Sequence, residues 1–184
     1  VLLWGMGGLG KTSLAARLCD RFPTYQRAVI VGTLDETALV RALSERLADL
    51  PECVAELNQP GQLRSKLLRM FKVHLADRDV LFVLDDFEQN ARRSQGGTPV
   101  LDTSGRMLLQ PAAQSTLQEL LWAIRESGTR SRAVVTCRYE FQLAGPAKLH
   151  GEELESVRDA DLAKKLDQLP GFSENPKLPK GIRT

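Results

Sequence analysis

The segment Gly5–Thr12 holds the residues best suited to chemistry in this sequence. It reads Gly-Met-Gly-Gly-Leu-Gly-Lys-Thr and fits the pattern G-x-x-x-x-G-K-[ST] at every fixed position. Glycines let a backbone curl so that its N–H groups point inward at phosphate oxygens, and a helix beginning near Lys11 would add its partly positive N-terminus. Lys11 would supply a full charge to the β- and γ-phosphates, and the Thr12 hydroxyl would bind Mg²⁺. The alternative, a glycine-rich turn that precedes Lys-Thr by chance, is disfavoured by the strand predicted before it and the helix predicted after it.

A second group of polar residues follows the apolar run Val80–Leu84, which predicts a buried strand. A phosphate-binding loop needs a carboxylate at the tip of a neighbouring strand, and Asp85 is the candidate magnesium ligand, directly or through water. Asp86, or else Glu88, could polarise an attacking water. Taken alone, this cluster would fit a solvated acidic turn after a core strand, and its pairing with the phosphate loop favours the functional interpretation.

A third polar strand end follows the apolar run Ala133–Thr136. Arg138 at this tip would lie across from the γ-phosphate, where its planar fork could bind phosphate oxygens; the alternative is a surface arginine in a loop. Cys137 has no histidine near it in the sequence, so we interpret it as a packed or partly exposed residue rather than a nucleophile or redox sensor. His74 and His150 are isolated and lack metal-ligand spacing.

The predicted site uses ATP or ADP and Mg²⁺ as cofactors. Catalytic roles are predicted for Lys11, Asp86 and Arg138, and the predicted metal ligands are Thr12 and Asp85. The residues expected to contact the nucleotide are Gly5, Met6, Gly7, Gly8, Leu9, Gly10, Lys11, Thr12, Ser13 and Arg138.

Apolar runs and helical periods alternate along the chain, which predicts an α/β fold with a parallel sheet covered by helices on both faces. The predicted strands are Val1–Trp4, Ala28–Gly32, Val80–Leu84, Ala133–Thr136 and a fifth around Leu149–Leu154. The predicted helices run from about Lys11 to Arg21, from Asp35 or Thr37 to a stop at Pro51, from about Gln62 to Leu75, and over Leu117–Ile124 up to Gly128. A last helix, with Leu162, Leu166 and Leu169, would be capped by Asp159.

The segment Phe87–Pro111 interrupts this alternation. It is polar, contains several glycines and prolines, and is long for a connection inside a compact domain. Within it, Val100–Asp102 and Met107–Leu109 flank Ser104-Gly105 and predict a small hairpin. We expect this insert to be mobile and dispensable for the core, because it offers few apolar anchors beyond Val100, Leu101, Met107, Leu108 and Leu109.

The ends of the sequence bear on its domain organisation. Val1 lies inside a predicted strand and no initiator Met precedes it, so we expect the chain to be a piece of a larger protein. We assign residues 1–155 to a nucleotide-binding domain that carries the insert at 87–111. Residues 156–184 are assigned to the start of a helical subdomain that is truncated here.

Composition and charge argue against several classes of protein. The net charge is +2 and only 5% of residues are aromatic, so we expect no direct nucleic-acid binding. No apolar run approaches the roughly 20 residues of a membrane-spanning helix, and no signal-peptide pattern is seen, so we expect no membrane partner. The three cysteines are far apart without CxxC spacing, which favours a reduced, cytoplasmic setting.

Three segments together resemble the NB-ARC branch of the STAND NTPases, the signal-transduction ATPases of immune and apoptotic regulators. Gly5–Thr12, with the following Ser13-Leu14-Ala15, is similar to the phosphate loop of that family. Leu81–Phe87 is similar to its second motif, and Ala133–Arg138 to its Thr-Thr-Arg sensor. The likeness spans about Val1–Leu169 and in style is closest to the bacterial multidomain members.

This resemblance implies a P-loop NTPase fold, three-layered α/β/α, with a five-stranded parallel sheet of order 5-1-4-3-2. It implies that Asp85, one strand away from the phosphate loop, serves magnesium, that Asp86 is the candidate base, and that Arg138 reads the γ-phosphate. It also implies a slow ATPase used as a switch, closed with ADP and able to oligomerise with ATP. We therefore expect self-association through the full-length protein. The insert at 87–111 departs from the compact eukaryotic members.

Two functions of different classes compete at this point. The first is a regulatory ATPase switch inside a multidomain signalling or defence protein. The rival is a catalytic or motor P-loop enzyme, such as a small-molecule kinase with an acceptor pocket and lid, or a helicase-like ATPase with strand-binding features. A degenerate module that binds without hydrolysis is a third alternative, and the intact Lys11, Thr12 and Asp85 argue against it.

Overall fold

The computed structural model describes residues 1–145 and 148–155, and these residues form one parallel sheet with helices on both of its faces. The strands are β1 (Leu2–Trp4), β2 (Gln26–Val31), β3 (Val80–Asp85), β4 (Arg132–Cys137) and β5 (Gly151–Glu153). The helices are α1 (Lys11–Asp20), α2 (Glu36–Arg46), α3 (Pro51–Asn58), α4 (Leu63–Arg69) and α5 (Pro111–Ser127). Helix α4 continues as a wider π turn over Met70–His74.

By its internal contacts the chain divides into a compact unit at Val1–Leu154 and a second unit at Glu155–Thr184. The first unit contains every element named above. The last helix predicted from sequence, beginning after Asp159, lies outside the described residues. Its assignment to a helical subdomain stays a prediction.

The strand order is β2-β3-β4-β1-β5, and every pairing is parallel. Read from the other edge, this is the predicted order 5-1-4-3-2, so the predicted fold class is confirmed. Strand β4 lies between β1 and β3, with Trp4 in register with Cys137 and Leu84 in register with Val135. Because parallel strands all end at the same edge of a sheet, the residues that follow β1, β3 and β4 come together there.

Alternation along the strands explains the two layers of packing around the sheet. One face joins the larger apolar cluster, which includes buried residues from α2 through α5, and the strand side chains in it include Ala28, Phe82 and Val135. The opposite face packs against α1 through a second set of buried residues: Leu3, Ala15, Cys19, Leu81, Val83 and Val134. Strand β3 is buried along its whole length because it is central and covered on both faces.

The ends of the helices follow local sequence rules in two places and depart from expectation in one. The Asp35 carboxylate accepts a 2.7 Å bond from the Ala38 N–H and caps α2, and Gly128, with φ of 72°, ends α5. The expectation that Pro51 marks the end of a helix is wrong. Helix α2 already ends at Arg46, and Pro51 begins α3, where a first-turn residue needs no N–H donor.

The insert Phe87–Pro111 is attached to the core more firmly than its composition predicts. Antiparallel bridges join Ala91 to Leu109, Arg93 to Pro99 and Leu101 to Met107, the last of these around the predicted Ser104-Gly105 turn. Met107 and Leu109 are only 2% and 3% exposed and belong to the larger apolar cluster. Both residues are among the apolar anchors named from the sequence, and their burial argues against the expectation that the insert is dispensable for the core.

Candidate functional site

The phosphate loop begins directly after β1, at a position that only glycine can occupy. Gly5 has φ of 143°, and a Cβ on it would lie 2.5 Å from the Leu154 carbonyl oxygen. At the other end of the loop, Gly10 adopts a left-handed conformation with φ of 83° and leads into the first turn of α1. The sequence therefore forms a strand, a tight loop and a helix N-terminus in succession, the arrangement that presents N–H groups to an anion.

Lys11 folds back over this loop instead of extending into solvent. Its Nζ donates to the carbonyl oxygens of Gly5 and Met6, each at 2.7 Å. These two bonds hold the ammonium against the backbone that surrounds the loop. An ammonium group has three donors on a flexible stem, so it can exchange carbonyl partners for phosphate oxygens with little movement.

The predicted metal ligands are in direct contact. The Thr12 hydroxyl lies 3.0 Å from Oδ1 and 3.1 Å from Oδ2 of Asp85. Asp85 is buried, with 9% of its surface exposed. The Thr136 hydroxyl also donates to Oδ1 of Asp85, and the Asp86 N–H donates to the same hydroxyl over 3.2 Å. The Asp85 carboxylate is therefore oriented by hydroxyls from two elements, α1 and β4.

This donor set fits magnesium. A hydroxyl and a carboxylate are hard oxygen ligands, and Mg²⁺ is bound by one or two such groups together with substrate phosphates and water. Among residues 1–145 and 148–155, no group of three or more His, Cys, Asp and Glu side chains could hold a metal ion by itself. Thr12 and Asp85 would share the metal with the nucleotide, which is the role predicted for them.

Asp86 occupies a different environment from its neighbour. It is exposed, and its φ of 53° is in the left-handed region that aspartate tolerates better than most residues. It lines an open cavity of about 350 Å³ together with Glu88, Arg138 and, from the insert, Arg93 and Pro99. Asp86 is thus accessible to water, as its predicted role as a base requires.

Arg138 lies next to the phosphate loop, as predicted. Its Cζ is 3.8 Å from the place that a Cβ on Gly7 would take, and its side chain is 61% exposed. Its Nε also pairs with Oε1 of Glu88 at 2.8 Å. The structure therefore brings the three predicted strand ends, at Gly5, Asp85 and Arg138, to one edge of the sheet.

Three residues of this region have roles that sequence reasoning missed. Thr136 orients Asp85, and a polar residue in an otherwise apolar strand was the available signal for it. Glu88 pairs with Arg138 rather than facing solvent alone. Asn90 accepts from the Leu34 N–H at 2.7 Å and donates to the Gly32 carbonyl at 2.8 Å, so it joins the segment after β3 to the loop after β2. No local pattern identifies Asn90, because these partners lie 56 and 58 residues away.

Cys137 lies between Thr136 and Arg138 in the sequence, but its thiol is not available as a nucleophile. It is fully buried, and burial raises the pKa of its thiol to about 12. The thiol therefore stays protonated at neutral pH, and a thiol is a poor nucleophile compared with a thiolate. The structure agrees with its interpretation as a packed residue.

No helix in the described part of the chain combines the length and apolar character needed to cross a membrane. No protein-family model matches this sequence, and no curated protein matches it.

Solved structures do match, and two of them are informative. One is a signal transduction ATPase with numerous domains (STAND) protein with a tetratricopeptide repeat sensor from Pyrococcus horikoshii. It has a TM-score of 0.60 and 15% identity over 98% of this chain and 24% of that chain. The other is Cdc6p from Pyrobaculum aerophilum, with a TM-score of 0.50 and 20% identity over 75% of this chain and 32% of that chain.

These two neighbours are informative about the fold of the chain. It spans about a quarter and about a third of their lengths, and at such identities the likeness shows the fold alone. The fold is shared with a STAND ATPase and with Cdc6p, and this likeness does not single out the NB-ARC branch. The five-stranded parallel sheet with its phosphate loop after β1 is the fold of the P-loop NTPases.

Proposed function

We propose that this chain is the nucleotide-binding domain of a regulatory ATPase switch of the NB-ARC or a related STAND type. It binds Mg-ATP on the loop Gly5–Thr12 and hydrolyses it slowly. The ADP or ATP state controls self-association of the longer protein. The observation that carries the proposal is the contact between the Thr12 hydroxyl and the Asp85 carboxylate beside the phosphate loop.

Each step of nucleotide binding has a residue suited to it. The loop N–H groups and the start of α1 attract the phosphates, and the Lys11 ammonium neutralises charge that these dipoles offset only in part. Thr12 and Asp85 hold Mg²⁺, which when bound withdraws charge from the phosphate oxygens. Thr136 keeps the Asp85 carboxylate turned toward Thr12.

Asp86 is the proposed base for hydrolysis, in preference to Glu88. Both acids line the same cavity, but Glu88 is engaged by Arg138 at 2.8 Å, whereas Asp86 is exposed at the cavity wall. A carboxylate oxygen that already faces a guanidinium is less available to accept a hydrogen bond from an attacking water. A single exposed carboxylate that orients water is consistent with slow turnover rather than with rapid catalysis.

The switch role rests on Arg138. An arginine that contacts only the γ-phosphate strengthens the binding of ATP and adds nothing to the affinity for ADP. A ligand shifts the equilibrium between two conformations of a protein only if it binds one of them more tightly than the other. The position of the guanidinium beside Gly7 supports this role. The STAND neighbour, which carries a repeat sensor in addition to its ATPase, supports a regulatory setting.

Isothermal titration with Mg-ADP and with a non-hydrolysable Mg-ATP analogue tests the proposal. Arg138→Ala should weaken binding of the ATP analogue by about 1.5–3 kcal/mol and leave ADP affinity unchanged, because one charged hydrogen bond to the γ-phosphate is lost. Arg130→Ala is the matched control, since Arg130 is another exposed arginine paired with an acid, Asp79, and lies before β4 rather than after it. Equal losses for both nucleotides, or none, would remove the basis for the switch.

A phosphotransferase is the second candidate, and one observation favours it. The cavity of about 350 Å³ beside Asp86 is walled by Arg93 and Pro99 of the insert, and an acceptor molecule could enter it. Comparing ADP with free phosphate decides between the two functions. Equal release of both products indicates hydrolysis, and ADP release that exceeds phosphate in the presence of cell metabolites indicates transfer.

A further inference from the structure

The ion pair between Glu88 and Arg138 uses the arginine in a particular way. The Nε atom of Arg138 lies 2.8 Å from Oε1 of Glu88 in this ion pair. A guanidinium carries five N–H donors, of which four are on its two Nη atoms. Neither Nη atom makes a hydrogen bond to the residues that the structure describes, so both can bind a second anion, and the group already lies beside Gly7 of the phosphate loop.

Glu88 is itself held in place by the turn that carries it. The 3-10 turn Phe87–Asn90 is anchored by buried Phe87, whose ring stacks on Phe141 with 5.2 Å between centroids, and by the hydrogen bonds of Asn90. The Glu88 side chain is only 16% exposed. Its Oε2 is buried and has no hydrogen-bond partner among the described residues. Glu88 is therefore a fixed acceptor, whereas the Arg138 side chain is long and largely exposed.

We infer that Glu88 is a positioning residue for Arg138, and that this pair, rather than the arginine alone, distinguishes ATP from ADP. The inference rests on the proposed function, in which Arg138 contacts the γ-phosphate. A free arginine loses rotamer entropy when it binds phosphate, and a carboxylate that already fixes the side chain removes part of that cost before the ligand arrives.

An opposite role for Glu88 would be to withhold Arg138 from the nucleotide. The geometry argues against that role, because the pair occupies Nε and leaves the guanidinium next to the loop. A carboxylate that withheld the arginine would have to take the Nη donors or draw the group away from Gly7. The two roles predict opposite changes in ATP preference when Glu88 is removed.

The test measures the ratio of affinities for a non-hydrolysable Mg-ATP analogue and Mg-ADP, by isothermal titration on the whole chain. Glu88→Ala should lower this ratio about two- to tenfold, the equivalent of ordering one long side chain. Glu88→Gln should keep most of it, because its amide oxygen can take the place of Oε1 beside Nε. Both variants lose the Glu88 charge, so the comparison of Glu88→Ala with Glu88→Gln removes the effect of that charge on the binding of the more highly charged ATP.

Arg138→Ala and the double variant Glu88→Ala/Arg138→Ala separate this inference from the proposed function. If Glu88 acts through Arg138, the double variant has the same ratio as Arg138→Ala. A ratio that rises in both Glu88 variants, that falls equally in both, or that stays unchanged in Glu88→Ala while Arg138→Ala lowers it, overturns the positioning role alone. An unchanged ratio in Arg138→Ala overturns the proposed function and the inference together.

Discussion

The phosphate loop and the insert at 87–111 are opposite kinds of structure within one domain. The loop is mostly exposed, its glycines determine its shape locally, and its Lys11 ammonium bonds to two carbonyl oxygens of the loop itself. The insert looks like a surface loop in sequence, yet Met107 and Leu109 are buried in the core, and the Met107 N–H donates to the Glu140 carbonyl at 2.8 Å. One region is exposed and the other is anchored in the core.

The difference between the two regions separates affinity from stability. Residues of the loop make few packing contacts, so their replacement should change nucleotide binding and leave unfolding unaffected. Met107 and Leu109 at the base of the insert pack in the larger apolar cluster, so their replacement should change unfolding and leave the affinity of the folded protein unaffected. The predictions below are arranged to test this separation, beginning with the largest expected effect.

Leu109→Ala should destabilise the domain by about 2–5 kcal/mol, because it removes a buried side chain and leaves a cavity. Leu101→Ala in the same insert is the matched control, since Leu101 is 43% exposed, and we expect it to cost less than about 1 kcal/mol. Urea denaturation followed by circular dichroism measures both. If Leu109→Ala unfolded at the same urea concentration as the control, the insert would be dispensable after all.

Lys11→Ala should have the next largest effect, and this effect should be on nucleotide affinity rather than on stability. We expect a loss of roughly 3 kcal/mol in Mg-ATP affinity, about a hundredfold, because charged hydrogen bonds to the phosphates are removed from an open site. The urea midpoint should match that of the unaltered chain. Titration of a fluorescent ATP analogue into Lys11→Ala and into the exposed control Lys72→Ala compares the two. Equal affinities would remove the phosphate-loop assignment.

How much of this molecule the sequence predicts depends on the range of the interactions involved. The phosphate loop and β3 with its acidic end were predictable from local patterns, whereas the order of the strands followed from the family resemblance. The contacts of Asn90 and the burial of Met107 and Leu109 were not predictable, because their partners are brought close only by the fold. The average composition of the insert is that of a surface loop, because its two buried side chains contribute little to the average.

Asp85 and Asp86 repeat the comparison between the two regions on the smallest scale. They are adjacent in sequence, yet Asp85 is buried and held by two hydroxyls, whereas Asp86 is exposed at a cavity wall. Asp85→Asn should keep the fold, because an amide oxygen still accepts from Thr12 and Thr136. It should weaken Mg²⁺-dependent nucleotide binding by about 2 kcal/mol and leave binding in EDTA nearly unchanged, because the lost charge acts through the metal.

Asp86→Asn should change affinity least of all, in either condition, because its side chain is exposed at the cavity wall and has no predicted role in holding the metal. Its effect should fall on turnover, since a neutral amide cannot take a proton from water. Nucleotide titrations in Mg²⁺ and in EDTA measure the affinities of both variants, and phosphate release from Mg-ATP measures their turnover. If Asp86→Asn reduced Mg²⁺-dependent affinity while Asp85→Asn reduced only turnover, the two acids would have exchanged roles. Burial and hydroxyl contacts would then be the wrong criteria for locating the metal ligand in this site.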